Sequence, residues 1–184
     1  MRPGGRSARV QASVHTAVRE LLSEVGRDAL TVPLVAQRAG VTPSTIYRRW
    51  GDLQELLSDV AVERLRPETE PEDHGDLRTD MTAWAEQFLD EMASSSGRAY
   101  IRDALLGDLD GTNAGQCSAY AAEQIDVVLA RARDRGEDAP DVETAMDRIV
   151  APVMYRILFR PAGLDAAYAR RIVTEFLGAT GEDD

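Results

Sequence analysis

Apolar residues recur at three- and four-residue spacing along nearly the whole chain, and nowhere do they alternate with polar residues over a strand's length. Val10, Val14, Ala17, Val18, Leu21, Leu22 and Val25 share one face, so a first helix is expected from Arg9, closed by Gly26. Shorter apolar faces follow at Val32, Val35, Ala36 and Ala39, and around Ile46 and Trp50, which close a small three-helix core. A fourth helix, capped by Asp52, carries Leu53, Leu56, Leu57, Val60, Ala61 and Leu65. Further on, Leu77, Met81, Trp84, Ala85, Phe88, Leu89 and Met92 mark a long amphipathic helix, interrupted by Ser94–Gly97. A shorter helix is expected over Ala99–Leu109, and the next runs from Cys117 through Tyr120, Ile125, Val128 and Leu129 to Ala132. Val142, Met146, Ile149, Val150, Val153, Ile157 and Leu158 form another, with Pro152 inside the pattern predicting a kink. Asp165 caps a last helix through Tyr168, Ile172, Val173, Phe176 and Leu177, before an acidic tail. The expected architecture is all-α, with about nine helices and no internal repeat.

Breaks in this pattern divide the chain. Pro67–Gly75 has two prolines, a run of acids and a closing glycine, and predicts an exposed linker. The expected organisation is a helical head with its connecting fourth helix over 1–66, an acidic linker over 67–75, and a helical body over 76–184. Residues 1–8 are polar, glycine-rich and basic, and predict a disordered arm able to reach a minor groove. His15 falls off the apolar face of the first helix and His74 falls in the linker; both are expected to be solvated.

The stretch Thr31–Trp50 carries the most specific local signals. Thr31 can cap a helix whose first turn holds Pro33, where a missing N–H costs little. Gly40 suits the left-handed residue that ends it. Thr42 is the expected cap of a second helix and Pro43 its first residue, with φ already set. Two short helices around a glycine-containing turn make a helix-turn-helix. The second is two turns, roughly 10 Å long, enough to lie in a major groove and present three or four side chains. The hydroxyls of Ser44 and Thr45 can pair with base edges, and Arg48 or Arg49 can hold guanine or phosphate.

In Ala39-Gly40-Val41-Thr42, then Ser44-Thr45-Ile46-Tyr47-Arg48-Arg49-Trp50, and on through Asp52, Glu55 and Leu56, the chain resembles the TetR family of bacterial transcriptional regulators. These motifs lie in about the first 65 residues; beyond them the resemblance rests on length and helical pattern. It implies a DNA-binding head built on a helix-turn-helix, with Thr31, Thr42, Pro43, Ser44, Thr45, Tyr47, Arg48 and Arg49 as the DNA-contacting set and Tyr47 on the backbone. It also implies a homodimer on a pseudo-palindromic double-stranded operator, acting as a repressor and released by a small hydrophobic effector bound in the body. One position departs from the pattern: Leu53 stands where the family usually has a lysine that touches a phosphate, which removes one phosphate partner per subunit.

Composition sharpens this picture. The net charge is −11, which by itself argues against a polyanionic partner. Its distribution reverses the inference: residues 1–49 hold eight arginines against Glu20, Glu24 and Asp28, a net +5 at one end of an acidic chain. No apolar run approaches 20 residues and no basic-then-apolar leader is present, so a soluble, cytoplasmic protein without membrane attachment is expected. Cys117 is the single cysteine, which leaves no intramolecular disulfide and no cysteine-rich metal cluster. There is no HExxH, no Glu-x-x-His pair, no glycine-rich phosphate loop and no GxSxG, so neither an enzyme nor a metal or other cofactor is expected.

For the body, two roles are expected. One is dimerisation through the last two long helices, with Met146, Ile149, Val150, Val153, Ile157, Tyr168, Ile172 and Phe176 as candidate interface residues, since one short reading helix on one half-site supplies little affinity. The other is an effector cavity near Trp84, Phe88, Met92, Tyr100, Tyr120, Met154 and Tyr155. The competing function is a TetR-like helical dimer that carries a ligand or adapts between partners without specific DNA binding; Leu53 and the acidic total favour it, Thr42-Pro43 and Tyr47-Arg48-Arg49 oppose it.

Overall fold

The computed structural model describes residues 4–108 and 110–179. Among them all regular structure is helical: α1 Gly4–Glu24, α2 Val32–Ala39, α3 Pro43–Trp50, α4 Leu53–Leu65, α5 Leu77–Ala93, α6 Ser95–Leu106, α7 Thr112–Asp134, α8 Val142–Ala145, α9 Ala151–Phe159 and α10 Ala166–Ala179. A π turn, Met146–Val150, joins α8 to α9 without a break, so the described residues form nine rods. The amino-terminal arm begins differently from expectation: α1 starts at Gly4, while residues 1–3 lie outside the described residues, as do Leu109 and the acidic tail 180–184.

The chain forms two compact units, one of Met1–Arg64 with Asp103–Asn113, the other of Leu65–Arg102 with Ala114–Asp184. The first is discontinuous, so the chain passes between units three times. Its core is Val14, Val18 and Leu21 of α1, Val35 and Ala36 of α2, Ile46 and Trp50 of α3, and Leu56, Leu57 and Val60 of α4. These are the positions that the helical spacing places inward. Residues 103–113 are fastened to the rest of this unit by polar contacts. Arg27 pairs with Asp103 and donates to Gln54 Oε1 at 2.8 Å. The buried Ser58 hydroxyl donates to the Ala104 carbonyl at 2.8 Å and accepts from Asn113 Nδ2 at 2.7 Å. Gly107 lies against the backbone of Gln54 so closely that a Cβ would fall inside the carbonyl oxygen's contact distance.

The second unit is built on Met81, Trp84 and Leu89 of α5, Ile125 and Leu129 of α7, Ile149 of the π turn, Val153 and Ile157 of α9, and Val173 and Phe176 of α10. Ser94 turns the chain between α5 and α6: its hydroxyl accepts the Gly97 N–H at 2.9 Å and donates to the Glu91 carbonyl at 2.8 Å. The interruption expected over four residues is thus a corner at one. Pro152 disturbs its helix as expected, and the form is specific. Proline has no N–H for the Arg148 carbonyl, and the turn ahead of it widens so that the Ala151 N–H bonds to the Met146 carbonyl.

Pro67–Gly75 is irregular, yet it is held and not free. The Thr69 carbonyl accepts from Gln124 at 3.0 Å, the Pro71 carbonyl accepts from Arg131 at 2.7 Å, and Asp73 pairs with Arg135 at 3.1 Å. Arg131 and Arg135 stand one turn apart on or just past α7, so they meet successive parts of the acidic segment. Arg135 also pairs with the buried Asp80 at 3.0 Å, and Asp80 accepts the His74 backbone N–H at 2.6 Å. His74 is exposed, as expected of a loop histidine, with Asp80 and Glu72 at 3.4 and 3.3 Å from its ring nitrogens.

The candidate interface residues need correction. Ile149, Val150, Val153, Ile157, Tyr168, Ile172 and Phe176 are all buried in the subunit's own core, and Met146 packs half-buried against it. Their spacing marks the inward face of each helix, and a single chain's periodicity does not tell an inner apolar face from an outer one. The large apolar side chains that α9 leaves in solvent are Tyr155 at 55%, Leu158 at 38% and Phe159 at 69% exposure.

Gly107→Ala should destabilise the folded chain by about 1–3 kcal/mol, because a backbone carbonyl on α4 cannot yield to the added methyl as a side chain would. A urea titration measures this; an unchanged midpoint would show that the end of α6 and α4 are not so closely apposed.

Candidate nucleic-acid interface

The helix-turn-helix is assembled by local rules. Thr31 is extended, at φ −137° and ψ 153°, and its hydroxyl accepts the Leu34 N–H at 3.3 Å. Gly40 takes φ 68°, and the Val41 N–H reaches back to the Ala36 carbonyl at 3.0 Å, which closes α2 and turns the chain. Thr42 is extended ahead of Pro43, as a residue before proline should be. Its hydroxyl does not cap the backbone, contrary to expectation. It shares hydrogen bonds with Ser44 Oγ at 2.9 Å and Thr45 Oγ1 at 3.0 Å, forming a cluster of three hydroxyls at the amino end of α3.

The outer face of α3 is open. Thr42, Pro43, Ser44, Tyr47, Arg48 and Arg49 are exposed and Thr45 is half-buried, while Ile46 and Trp50 point into the core. Of the predicted set, all but the half-buried Thr45 are exposed, Thr31 at the start of α2 included. Tyr47 keeps 49% of its surface, so packing does not consume it.

The two arginines differ. Arg48 makes no hydrogen bond or ion pair among the described residues and is free to meet a phosphate or a guanine edge. Arg49 is engaged within the protein: it donates to Ser7 Oγ at 2.7 Å and to Gln11 Oε1 at 2.5 Å, and its guanidinium lies 5.1 Å from the Trp50 ring centroid. It fastens α3 to α1. Other arginines counted in the basic end are also engaged. Arg38 is bound by Glu24 at 2.6 Å and Glu20 at 3.2 Å, and these hydrogen bonds hold its pKa above the usual arginine range and that of Glu24 below the usual carboxylate range. Leu53, at the usual lysine position, is half-buried against the head core and offers no cation.

Beneath this face lies a polar network that sequence reasoning missed. Asp59 Oδ2 on α4 accepts the Trp50 indole N–H at 2.6 Å and the Gln11 amide at 3.2 Å, and lies 2.9 Å from His15 Nε2. His15 Nδ1 in turn bonds Glu63. His15 is 1% exposed, where solvation was expected. Gln11, His15 and Arg19 fall at four-residue intervals on α1, and Asp59 and Glu63 on α4, two polar rows that only the fold brings face to face.

The candidate effector residues do not converge on one chamber. Trp84 stacks on Phe88 with centroids 5.2 Å apart, and Phe88, Met92 and Met154 pack against the core of the second unit. Tyr100 and Tyr120 are half-buried. A depression of about 490 Å³ is lined by Asp147, Ala151, Pro152, Tyr155, Arg156 and Arg160, so Tyr155 is the one candidate that reaches it. Among the described residues no group of three or more His, Cys, Asp or Glu side chains is placed to hold a metal ion, and no helix is long and apolar enough to cross a membrane.

Trp50→Phe keeps the ring in the core and removes only the donor to Asp59. It should lower stability by about 1–3 kcal/mol, the cost of leaving a mostly buried acceptor one partner short. Equilibrium unfolding of the full chain followed by circular dichroism measures it; parent-like stability would show that the indole bond contributes nothing.

Comparison with known proteins agrees with this geometry. Residues 16–60 match the family described as "Bacterial regulatory proteins, tetR family", and residues 71–176 match "Tetracyclin repressor-like, C-terminal domain". The crystal structure of the TetR family transcription regulator SCO0332 superposes with a TM-score of 0.68 at 29% identity, covering 92% of this chain and 97% of that one. The HTH-type transcriptional regulator YdeS of Bacillus subtilis (strain 168) is 26% identical over 167 residues, 88% of this chain and 84% of that protein. AqdR of Rhodococcus erythropolis, also an HTH-type transcriptional regulator, is 28% identical over 138 residues, 72% of this chain and 65% of that protein. The chain belongs to the TetR family: it is a DNA-binding transcription regulator that pairs with a second copy of itself on operator DNA, not an enzyme.

Proposed function

We propose that the chain is a cytoplasmic repressor whose two α3 helices enter successive major grooves of a pseudo-palindromic operator, and that a small molecule bound by the body releases it. The observation that carries the DNA-reading assignment is the division of labour on α3. Ile46, Arg49 and Trp50 anchor the helix, while Ser44, Tyr47 and Arg48 are left on the outside with polar groups open to a partner. Ser44 and Thr45 meet base edges, Tyr47 and Arg48 meet the phosphate backbone, and Thr31 adds a backbone contact from the start of α2. Dimerisation uses the outward side of α9, where Tyr155, Leu158 and Phe159 are exposed. With Leu53 in place of a cation, phosphate binding in this region rests on Arg48.

Release by an effector requires that the ligand favour one separation of the two heads, by about 5.5 kcal/mol for a near-complete switch. Residues 103–113 are the candidate link, because they leave the body's chain segments at α6 and return at α7, yet pack with the head through Arg27, Gln54 and Ser58. The effector space is placed in the core of the second unit beside Trp84, Phe88, Met92 and Met154, and moving the Trp84–Phe88 stack is the step that would open it.

Selecting bound fragments from the source genome, then measuring their affinity by mobility shift, tests this. An inverted repeat with half-site centres one helical turn or more apart is expected. Arg48→Ala should bind such a fragment more weakly. Its plot of log affinity against log salt should be shallower by about one unit for each phosphate that Arg48 neutralises in the parent. Recovery of no preferred fragment, or parent-like binding and salt slope in Arg48→Ala, would remove the assignment.

A further inference from the structure

Among the described residues of the head, the DNA-contacting face makes no use of one buried ionisable group, His15. Its Nε2 lies 2.9 Å from Asp59 Oδ2 and its Nδ1 bonds Glu63 Oε2, so a carboxylate oxygen faces each ring nitrogen. A neutral imidazole carries one N–H; its other nitrogen would then set a lone pair against a carboxylate lone pair. The arrangement is satisfied when the ring holds both protons. Asp59 is fixed as an acceptor, since the same oxygen takes the Trp50 indole N–H at 2.6 Å and the Gln11 amide at 3.2 Å.

The surroundings are consistent with a charged ring. Burial works against the imidazolium, but the hydrogen bonds to Asp59 and Glu63 outweigh it and raise the His15 pKa above 6.5. Burial likewise works against the Asp59 carboxylate, and the hydrogen bonds from His15 and Trp50 outweigh it and lower its pKa. The other charges facing the group are Arg19 on α1, 3.5 Å from Glu63, and Arg49 on α3, which attracts Asp59. The basic residue of α2, Arg38, is bound by Glu20 and Glu24 farther along α1.

We propose that His15 is a positioning residue for DNA reading: as an imidazolium clamped between Asp59 and Glu63 it keeps Asp59 turned toward Trp50, and loss of its proton loosens the carboxyl end of α3 and weakens DNA binding. This rests on the DNA-reading assignment above. A raised folded-state pKa gives stabilisation that is fully present below pH 6.5 and lost as pH rises through the raised value. DNA affinity therefore falls as pH rises through that value.

The test uses the full chain, with His74→Gln to assign the two histidines. Nitrogen-15 NMR should show both ring nitrogens of His15 protonated at pH 6, with the Trp50 indole N–H resonance shifting at the same midpoint as the ring loses its proton. A ring neutral at pH 6 overturns the proposal whatever the DNA result. In the second arm, a duplex recovered by the genomic selection is bound at pH 6 and pH 9. Affinity should be progressively lost from pH 6 to pH 9 in the parent and stay level in His15→Gln. Should that variant not fold, Glu63→Gln, which changes a half-exposed partner, is expected to move the midpoint to lower pH; an unmoved midpoint overturns the clamp. Coincident pH profiles in parent and variant sink the positioning role alone. A ring that titrates as expected in a chain binding no DNA at any pH shows that the DNA assignment has failed, and the proposal falls with it.

Discussion

Donors from two helices converge on a single carboxylate oxygen of a third, Asp59 Oδ2, and the reading helix depends on that convergence. Trp50 comes from the last turn of α3, and Gln11 and His15 from α1. A helix of eight residues has too few internal hydrogen bonds to persist alone, so its geometry must come from what it packs on. Ile46 and Trp50 supply apolar burial, which is non-directional. The indole bond to Asp59 and the Arg49 contacts with Ser7 and Gln11 are directional, and they fix how α3 is rotated about its own axis. Rotation decides which side chains face outward, so the anchored residues determine that Tyr47 and Arg48 are left exposed.

The charge pattern acquires its meaning from the same division. A net +5 over residues 1–49 is not all free to meet phosphate, because Arg27 is paired with Asp103 from outside that stretch, Arg38 is bound by Glu20 and Glu24, and Arg49 is held by α1. The unfastened cation on the reading helix is Arg48, among the described residues. In the acidic second unit, Arg131 and Arg135 hold the Pro67–Gly75 segment. Leu53 belongs to the same distribution of cations: it adds apolar packing to the head core where a lysine would have faced a phosphate.

What could be read from the sequence was what local chemistry determines. Thr31, Gly40, Pro43, Asp52 and Asp165 mark helix ends through effects confined to one turn, and each sits at an end in the structure. The helix-turn-helix followed from such signals. Facts that need a second element stayed hidden. The spacing around His15 shows only that it lies off the apolar stripe of its own helix, which reads as solvation; its partners stand more than forty residues away on α4. The burial of Ile149, Val153 and Phe176 in the subunit, and the outward placement of Tyr155 and Phe159, are likewise matters of which face meets which neighbour. Arg48 and Arg49 are adjacent and chemically identical, and only the positions of Ser7 and Gln11 separate a free cation from a fastened one.

The anchoring of α3 is tested most directly by amide hydrogen exchange in the parent and in Asp59→Asn. Asparagine fills the same space and weakens the acceptor for Trp50, His15 and Gln11 together. Exchange at the amides of residues 46–50 should accelerate selectively, with those of α5 and α10 unchanged. Equal protection of α3 in both proteins, or a uniform loss of protection throughout, would contradict the claim that this carboxylate holds the reading helix in place.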